Sequence, residues 1–538
     1  MKKQSIFRSS VPWIIAGLVV VFFGIFNSTP VAAADPPHAV PHSISPTVAT
    51  SIGVKECAAC HSAPSPIYTV LGVTRFVRLV EAKEWLERDK HAYAYQLVRQ
   101  DLPSDELKKE ERKSNQLSID ITSKLNWIAS DGENEGDGNF ERKCLTCHVG
   151  KSETEHSATV DAKLAVQFGV QCESCHGPGS EYTKLEHHQQ VSWRTKTPEQ
   201  KSELGMWDLS SPSTAAKVCL SCHLGNIDQS RFVTHAMYAA GHPVLPPFDL
   251  QVFLDAMPPH WQTLKDKSAF EKQAEYNRAH FDIAGNTDEV QSAIKSSYDK
   301  TRRSMIGGLV ANDLGIELVH QGAADPKNWG DYSIYNCMGC HQELKKNSTQ
   351  VRSESRTPGR PFPANWLTLD YPKIHTTSRD THATLTRAML ASFNSVPFGD
   401  ARRLSQLSEN HLQSLADRFQ DRRKMEKRVM SKKDVLEWLA FLDTNRQDAL
   451  TDYWAAKQTA WMVCVAIDEL VEHGDLAVDL VSPNITELRE LLRLDLQLPQ
   501  RQSVLVFQKD VLQTAQNFDS ARCRELLSRL VNTAISNE

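Results

Sequence analysis

The sequence predicts a mainly α-helical protein in which short helices and loops pack around prosthetic groups, followed by a C-terminal helical bundle. Three observations lead to this prediction. The pentapeptide C-x-x-C-H occurs five times between residues 57 and 341. A stretch without Gly or Pro, residues 74–99, carries apolar side chains at helical spacing. Beyond residue 380, apolar periodicity predicts five to seven helices, with Ser431-Lys-Lys-Asp434 as the start signal of one helix and Gly474 as the end signal of another.

Each pentapeptide places two thiols three positions apart, with a histidine directly after the second. Two such thiols can each add to one vinyl group of a porphyrin, and the histidine then binds the iron as its proximal ligand. We therefore expect five covalently attached haem c groups, which use ten of the twelve cysteines. The predicted attachment thiols are Cys57, Cys60, Cys144, Cys147, Cys172, Cys175, Cys219, Cys222, Cys337 and Cys340. The predicted proximal ligands are His61, His148, His176, His223 and His341.

Other uses of paired cysteines explain the pattern less well. Structural zinc needs four ligands in tetrahedral geometry and gives no reason for a histidine to follow each pair. A thioredoxin-like redox pair is expected once, near a βαβ pattern, which is absent around these sites. A disulfide framework is typical of short secreted chains, whereas this chain has 538 residues. Covalent haem remains the interpretation.

The amino terminus predicts export. Lys2, Lys3 and Arg8 precede an apolar run over residues 11–26, and small residues follow up to Ala34. This order is typical of a secretory signal peptide, residues 1–34. The apolar run is shorter than the roughly 20 residues that a membrane-spanning helix needs. We expect a periplasmic or equivalent extracytoplasmic protein, with membrane contact only if the signal segment stays uncleaved.

Charge narrows the expected partners. The whole chain carries a net charge of -5, and removal of residues 1–34, with three basic and no acidic residues, leaves -8. Nucleic acid is therefore not an expected partner. The expected partners are redox proteins, whose identity as donor or acceptor the sequence leaves open. The C-terminal helices are the region through which we expect any oligomer to form.

One motif and its surroundings resemble a known family. The segment 169–179, Gly-Val-Gln-Cys-Glu-Ser-Cys-His-Gly-Pro-Gly, followed by His187 and His188, resembles the third haem site of the cytochrome c-554 family. These proteins are tetrahaem carriers that accept electrons from hydroxylamine oxidoreductase. The first site followed by Asp-Lys-His-Ala (89–92), and the second and fourth sites, occur in the family's order. The similarity covers roughly residues 55–225, and the family lacks the fifth haem and the long tail.

The resemblance and the motif spacing together predict a domain order. Residues 35–56 are a Pro-, Ser- and Thr-rich leader, and residues 57–240 form a tetrahaem domain similar to cytochrome c-554. Residues 241–362 form a fifth-haem segment, and residues 363–538 a helical C-terminal domain. Two cysteines remain in that domain, Cys464 and Cys523. They could form a disulfide between helices or remain buried thiols.

The sixth iron ligands decide between an electron carrier and an enzyme, because two axial histidines leave no open position. The resemblance implies that His91 and one of the adjacent His187 and His188 are distal ligands. Rigid segments after the fourth site add His235, His242 and His260. Further candidates for the fifth haem are His320, His375 and His382, and the methionine alternatives are Met237, Met257 and Met338. The histidines expected at the surface are His38, His42, His411 and His473.

We therefore predict a mainly α multihaem cytochrome c that transfers electrons through five haems, mostly with two histidine ligands, and has no assigned catalytic residue. The alternative is a reductase or oxidoreductase of small nitrogen or sulfur species at one five-coordinate haem. The resemblance puts an open face at the second site, His148. No C-x-x-C-K motif, as in pentahaem nitrite reductases, occurs in the sequence.

Overall fold

The computed structural model describes residues 49–63, 77–98, 109–127, 139–150, 169–190, 192–193, 196–263, 287–324, 329–339, 341, 379–393, 395, 399–413, 422–445, 450, 452–494 and 511–537. They belong to one compact unit, residues 40–538. The predicted signal peptide lies outside the described residues, as do Cys340 and His375. The described residues are mainly helical, which confirms the predicted class. Their β pairing is limited to an isolated antiparallel bridge between Asn226 and Arg231.

The helices before residue 264 are mostly short. They are α1 (Val54–His61), α2 (Glu81–Arg88), α3 (Lys109–Lys124), α4 (Thr146–His148), α5 (Glu173–His176), α6 (Pro198–Ser202), α7 (Pro212–His223), α8 (His235–Ala240) and α9 (Leu250–Ala256). The 3₁₀ turns Lys90–Tyr93 and Tyr95–Leu97 follow α2, and a π-helical turn, Glu141–Leu145, precedes α4.

The later helices are longer. They are α10 (Thr287–Lys295), α11 (Asp299–Ala324), α12 (Arg379–Phe393), α13 (Ala401–Gln413), α14 (Lys432–Asn445), α15 (Tyr453–Glu472), α16 (Val478–Leu492) and α17 (Ser520–Ser536), with 3₁₀ turns at Tyr332–Ile334 and Cys337–Gly339. None of the helices in the described ranges combines the length and apolarity needed to cross a bilayer.

The single helix predicted over residues 74–99 is wrong. Helix α2 ends at Arg88, and Asp89 takes an extended conformation with ψ of 128°. The Asp89 side chain accepts the backbone N–H of His91 at 2.9 Å, which starts a separate 3₁₀ turn. Aspartate favours caps because its carboxylate competes for backbone N–H groups. The break fixes His91 on a turn rather than on a helix face.

Helix α11 connects the haem-motif region to the C-terminal helices. It is buried along most of its length and packs against α7, α9, α13 and α15. One apolar cluster joins Leu220 of α7, Leu250 of α9 and Ile306 of α11 to Trp438 of α14 and Leu527 of α17. The motif that ends α7 is therefore fixed to the same core as the tail.

Both end signals found in the tail sequence are confirmed. Ser431 Oγ accepts the Asp434 N–H at 3.3 Å, and Asp434 Oδ2 accepts the Ser431 N–H at 2.8 Å, so each satisfies a donor that the start of α14 leaves free. Helix α15 ends before Gly474, whose φ of 77° lies in the left-handed region that glycine adopts without strain.

The tail core also contains polar groups and thiols. Asp313 and Arg422 form a buried ion pair, and His411 Nε2 lies 3.7 Å from Asp313 Oδ1. His411 is fully buried, so its expected surface position is wrong. Cys464 and Cys523 are buried, unbonded thiols, and burial raises the pKa of each to about 12.

Two glycines of α11 provide a matched test of its packing. A Cβ at Gly307 would lie 2.6 Å from Leu250 Cβ, whereas at Gly322 the nearest atom, Ile227 Cδ1, would lie 3.8 Å away. We expect Gly307→Ala to lower the free energy of unfolding by about 1–3 kcal/mol through overpacking. Gly322→Ala should leave it unchanged or raise it by up to about 1 kcal/mol, because alanine favours helix. Denaturant unfolding of the haem-loaded chain measures both, and equal effects would contradict the α9–α11 packing.

Candidate functional site

Four of the five pentapeptides end helices. Helices α1, α4, α5 and α7 each finish on the histidine of their motif. In α1 and α7 both thiols of the motif lie within the helix, and residues three apart lie on one face, so the two thiols point to the same side. In the other two motifs the first thiol precedes the helix, with Cys144 on the π-helical turn and Cys172 directly before α5. In the fifth motif, Cys337 lies on a 3₁₀ turn, His341 is described and Cys340 is not. The local structure thus suits attachment of one group per motif.

A second histidine ring faces the motif histidine at four sites. The ring centres are 6.3 or 6.4 Å apart in the pairs His61–His188, His223–His91, His176–His260 and His341–His235. The partners come from distant parts of the chain. All of the second rings are among the predicted distal ligands.

The remaining motif histidine, His148, also has a second histidine nearby, His242. Burial, with a further contribution from the nearby His148, lowers the pKa of His242 to about 4. The same two causes lower the pKa of His176 beside His260, and that of His223 beside His91, to about 4. At the second site, as at the third and fourth, one histidine is close enough to the other to lower its pKa.

The spacing of the paired rings fits one iron between them. A metal–imidazole bond of about 2 Å, plus roughly 1 Å from nitrogen to ring centre, would put two axial rings about 6 Å apart, close to the observed 6.3 and 6.4 Å. The ring planes meet at angles from 22° to 88°, which two rings sharing one axis are free to do. In the described part of the chain, no group of three or more His, Cys, Asp or Glu side chains is arranged to hold a metal ion. The residues present therefore fit a haem iron with two axial imidazoles.

Thiols of different motifs are in contact. The Cys57 and Cys172 side chains hydrogen-bond, and this contact raises the pKa of Cys57. Cys147 and Cys222 hydrogen-bond in the same way, which lowers the pKa of Cys222 to about 6. Cys175 lies close enough to Cys219 for their charges to interact. The first site is thus adjacent to the third, the third to the fourth, and the fourth to the second.

Two of the paired rings have a carboxylate partner at the outer nitrogen. His61 Nδ1 lies 2.9 Å from Glu81 Oε2, and His91 Nδ1 lies 3.0 Å from Asp89 Oδ1. Burial would raise the pKa of each carboxyl, but hydrogen bonds from these histidines and from backbone N–H groups lower it overall. Both carboxylates are therefore ionised at neutral pH.

The second site has neutral partners instead. His148 Nδ1 lies 2.9 Å from the Ala94 carbonyl oxygen, and His242 Nδ1 lies 2.8 Å from the Pro243 carbonyl oxygen. Both backbone oxygens accept the outer ring proton. In each ring the inner nitrogen, Nε2, is thereby left as the one that can bind a metal.

The fifth site is built into the helical tail. Asn336, one residue before its first cysteine, donates to the carboxylate of Asp452 at the start of α15, and Gln516 Nε2 donates to the His341 carbonyl oxygen at 3.0 Å. A cavity beside this motif is lined by apolar and aromatic groups of both regions. They include His223, Tyr238, Phe248, Tyr335, Cys337 and Trp454. The cavity brings the fifth motif next to the fourth.

The structure separates the candidates that the sequence left open. His188, not its neighbour His187, faces a motif histidine. His320 Nδ1 lies 3.2 Å from Ser408 Oγ, while the side chain of His382 lies outside the described residues. Met338 is buried in the apolar core. The pairing itself has no sequence signal, because partners lie far apart along the chain.

A comparison with known protein families agrees with this site. Residues 56–177, under a quarter of the chain, match the family described as cytochrome c554 and c-prime. The matched segment contains the first three motifs and His91. No curated protein and no solved structure matches the chain. The match supports a cytochrome c family for this segment, with covalently bound haem and electron transfer through it.

Proposed function

We propose that the chain transfers electrons in an extracytoplasmic compartment through five covalently attached c-type haems, each bound by two axial histidines. The observation that carries this proposal is the pairing of four motif histidines with a second imidazole ring, together with the proximity of His242 to the remaining motif histidine, His148. Bound haem supplies reversible one-electron chemistry. The family match supports the haem and the electron transfer over the first three motifs. The number of haems and the sites beyond residue 177 rest on the motifs and their geometry.

Four of the paired rings are suited to staying bound over a wide pH range. Burial is the largest influence on His176, His188, His223 and His242, and each has a pKa of about 4. Above that pH these imidazoles are neutral, so a ring nitrogen keeps its lone pair for the metal. Occupation of both faces prevents small molecules from reaching the iron.

The contacts between motifs support a continuous relay. Thiol contacts join the first site to the third and the second to the fourth, and Cys175 and Cys219 join the third to the fourth. The fifth site neighbours the fourth through the shared cavity. It also neighbours the second, because His235 and His242 lie on one short segment around α8. Electrons entering at the first site would then reach all others in steps.

The runner-up function, reduction or oxidation of a small molecule, needs one open haem. The family resemblance put that open face at His148. The proximity of His242 to His148 argues for a closed second haem in this chain. An enzymatic function therefore remains the alternative, and binding of a small molecule to a haem of the wild-type protein would support it.

The intact mass of the exported protein tests the haem number and the signal peptide together. We expect a chain beginning at Asp35 that carries five haems which acid acetone cannot extract, because thioether bonds are covalent. A pyridine haemochrome assay counts the haems independently. Three or fewer haems, or a membrane-bound chain that retains Met1, would refute the corresponding part of the proposal.

Replacement of two adjacent histidines tests the ligand assignment. His188→Ala should open one face of the first haem, converting it from low-spin to high-spin and allowing carbon monoxide to bind. His187→Ala, the matched control, should leave the spectrum unchanged, because the His187 ring does not face His61. Optical spectra of the reduced protein with and without carbon monoxide measure both variants. The opposite pattern would move the ligand to His187.

Carbon monoxide binding also separates the carrier from the enzyme. The reduced wild-type protein should bind none, since all five irons have two imidazoles, whereas His242→Ala should gain one binding site. Wild-type binding of carbon monoxide, nitric oxide or nitrite, followed by turnover, would favour the enzyme. A His242→Ala protein that stays fully low-spin would remove His242 from the ligands.

A further inference from the structure

Two paired histidines donate their outer N–H to a fixed carboxylate. Glu81 Oε2 accepts from His61, while Glu81 Oε1 accepts the backbone N–H groups of Arg78 and Leu79 at 2.6 and 3.1 Å. Asp89 Oδ1 accepts both the ring N–H and the backbone N–H of His91, and the residue is only 3% exposed. These backbone contacts hold each carboxylate in place independently of the ring.

The second site lacks this charge. Its rings, His148 and His242, donate to the carbonyl oxygens of Ala94 and Pro243. A carbonyl accepts the same proton without a full negative charge. The difference between the sites is therefore one anion, buried at Asp89 and partly buried at Glu81, at the far side of an axial ligand, which is where the polarity of a haem's surroundings acts on its potential.

We propose that Glu81 and Asp89 lower the reduction potentials of the first and fourth haems relative to the second. This inference rests on the proposed function, because it requires haem iron between the paired rings. A carboxylate acceptor strengthens electron donation from the ring to the metal, and this favours Fe(III) over Fe(II). The low dielectric around a buried anion increases the effect. An electron from a donor would then reside on the second haem in preference to the first or fourth.

The simpler role for both carboxylates is to hold the rings in position. That role predicts a loss of coordination when the carboxylate is removed, with no shift in potential while coordination persists. Isosteric amides separate the two roles, because Gln and Asn keep an oxygen that can accept the ring N–H but remove the charge. A potential that moves while both rings stay bound is expected only from the charge.

The experiment is a redox titration of the haem-loaded full chain with soluble mediators as electron source, for wild type, Glu81→Gln and Asp89→Asn. The control is Glu84→Gln on the same helix, whose carboxylate pairs with Arg78 and Arg88. We expect Glu81→Gln to raise the reduction potential of the first haem, and Asp89→Asn to raise that of the fourth. The ratio of reduced to oxidised haem at fixed solution potential should rise at least tenfold, about 59 mV for a one-electron couple. The control should change that ratio less than threefold for every haem.

Electron paramagnetic resonance of the oxidised proteins reports whether all haems stay low-spin. Unshifted potentials in low-spin variants would overturn the inference, as would an equal shift in Glu84→Gln. Loss of the low-spin signal in both test variants would assign the carboxylates to positioning alone. If Asp89→Asn fails to load haem, Glu81→Gln still decides the matter. Different results would contradict the proposed function: wild-type protein with fewer than five haems, or with a haem that has an open face.

Discussion

The arrangement of this protein depends on imidazole rings from distant parts of the chain meeting in pairs. In each pair the two histidines lie more than eighty residues apart, and each site needs both. An iron bound between them closes a long loop, which removes conformational freedom from the unfolded chain in the way that other cross-links do. Five such closures would hold together a region whose helices are mostly short and whose apolar clusters are small. The proposed haems would then be structural components as well as redox centres.

The sequence predicted the cysteines and the histidine of each motif, but not which second histidine lies opposite each motif histidine. The C-x-x-C-H motifs are local, so their chemistry can be predicted without a fold. His188 and His187 look alike in sequence, and only the turn that brings His188 to His61 separates them. The break at Asp89 was missed because apolar spacing continued through it, whereas a carboxylate capping the next turn decides the local structure. The prediction that His411 lies at the surface was wrong because the buried ion pair of Asp313 and Arg422 lies beside it and provides it with a polar neighbour in the core.

The helix caps of the tail were predictable because they depend on neighbouring residues only. Ser431 with Asp434, and Gly474, act within a few residues of their own positions, and local chemistry determines the outcome. The relation of the tail to the fifth motif is long-range and was not foreseen. Asn336 and His341 contact Asp452 and Gln516, so this haem site depends on helices more than a hundred residues further along the chain. The tail therefore contributes to the redox region rather than standing apart from it.

The contacts between cysteines of different motifs have a consequence for biogenesis. Cys57 with Cys172, and Cys147 with Cys222, lie close together in the folded chain. In an oxidising compartment two neighbouring thiols react to form a disulfide, which would consume the sulfurs needed for thioether bonds. The proposed haems would therefore have to be attached while these segments are still apart and the thiols are kept reduced. If the chain is exported as proposed, haem attachment would then precede folding and would need a thiol reductant in the compartment where the chain folds.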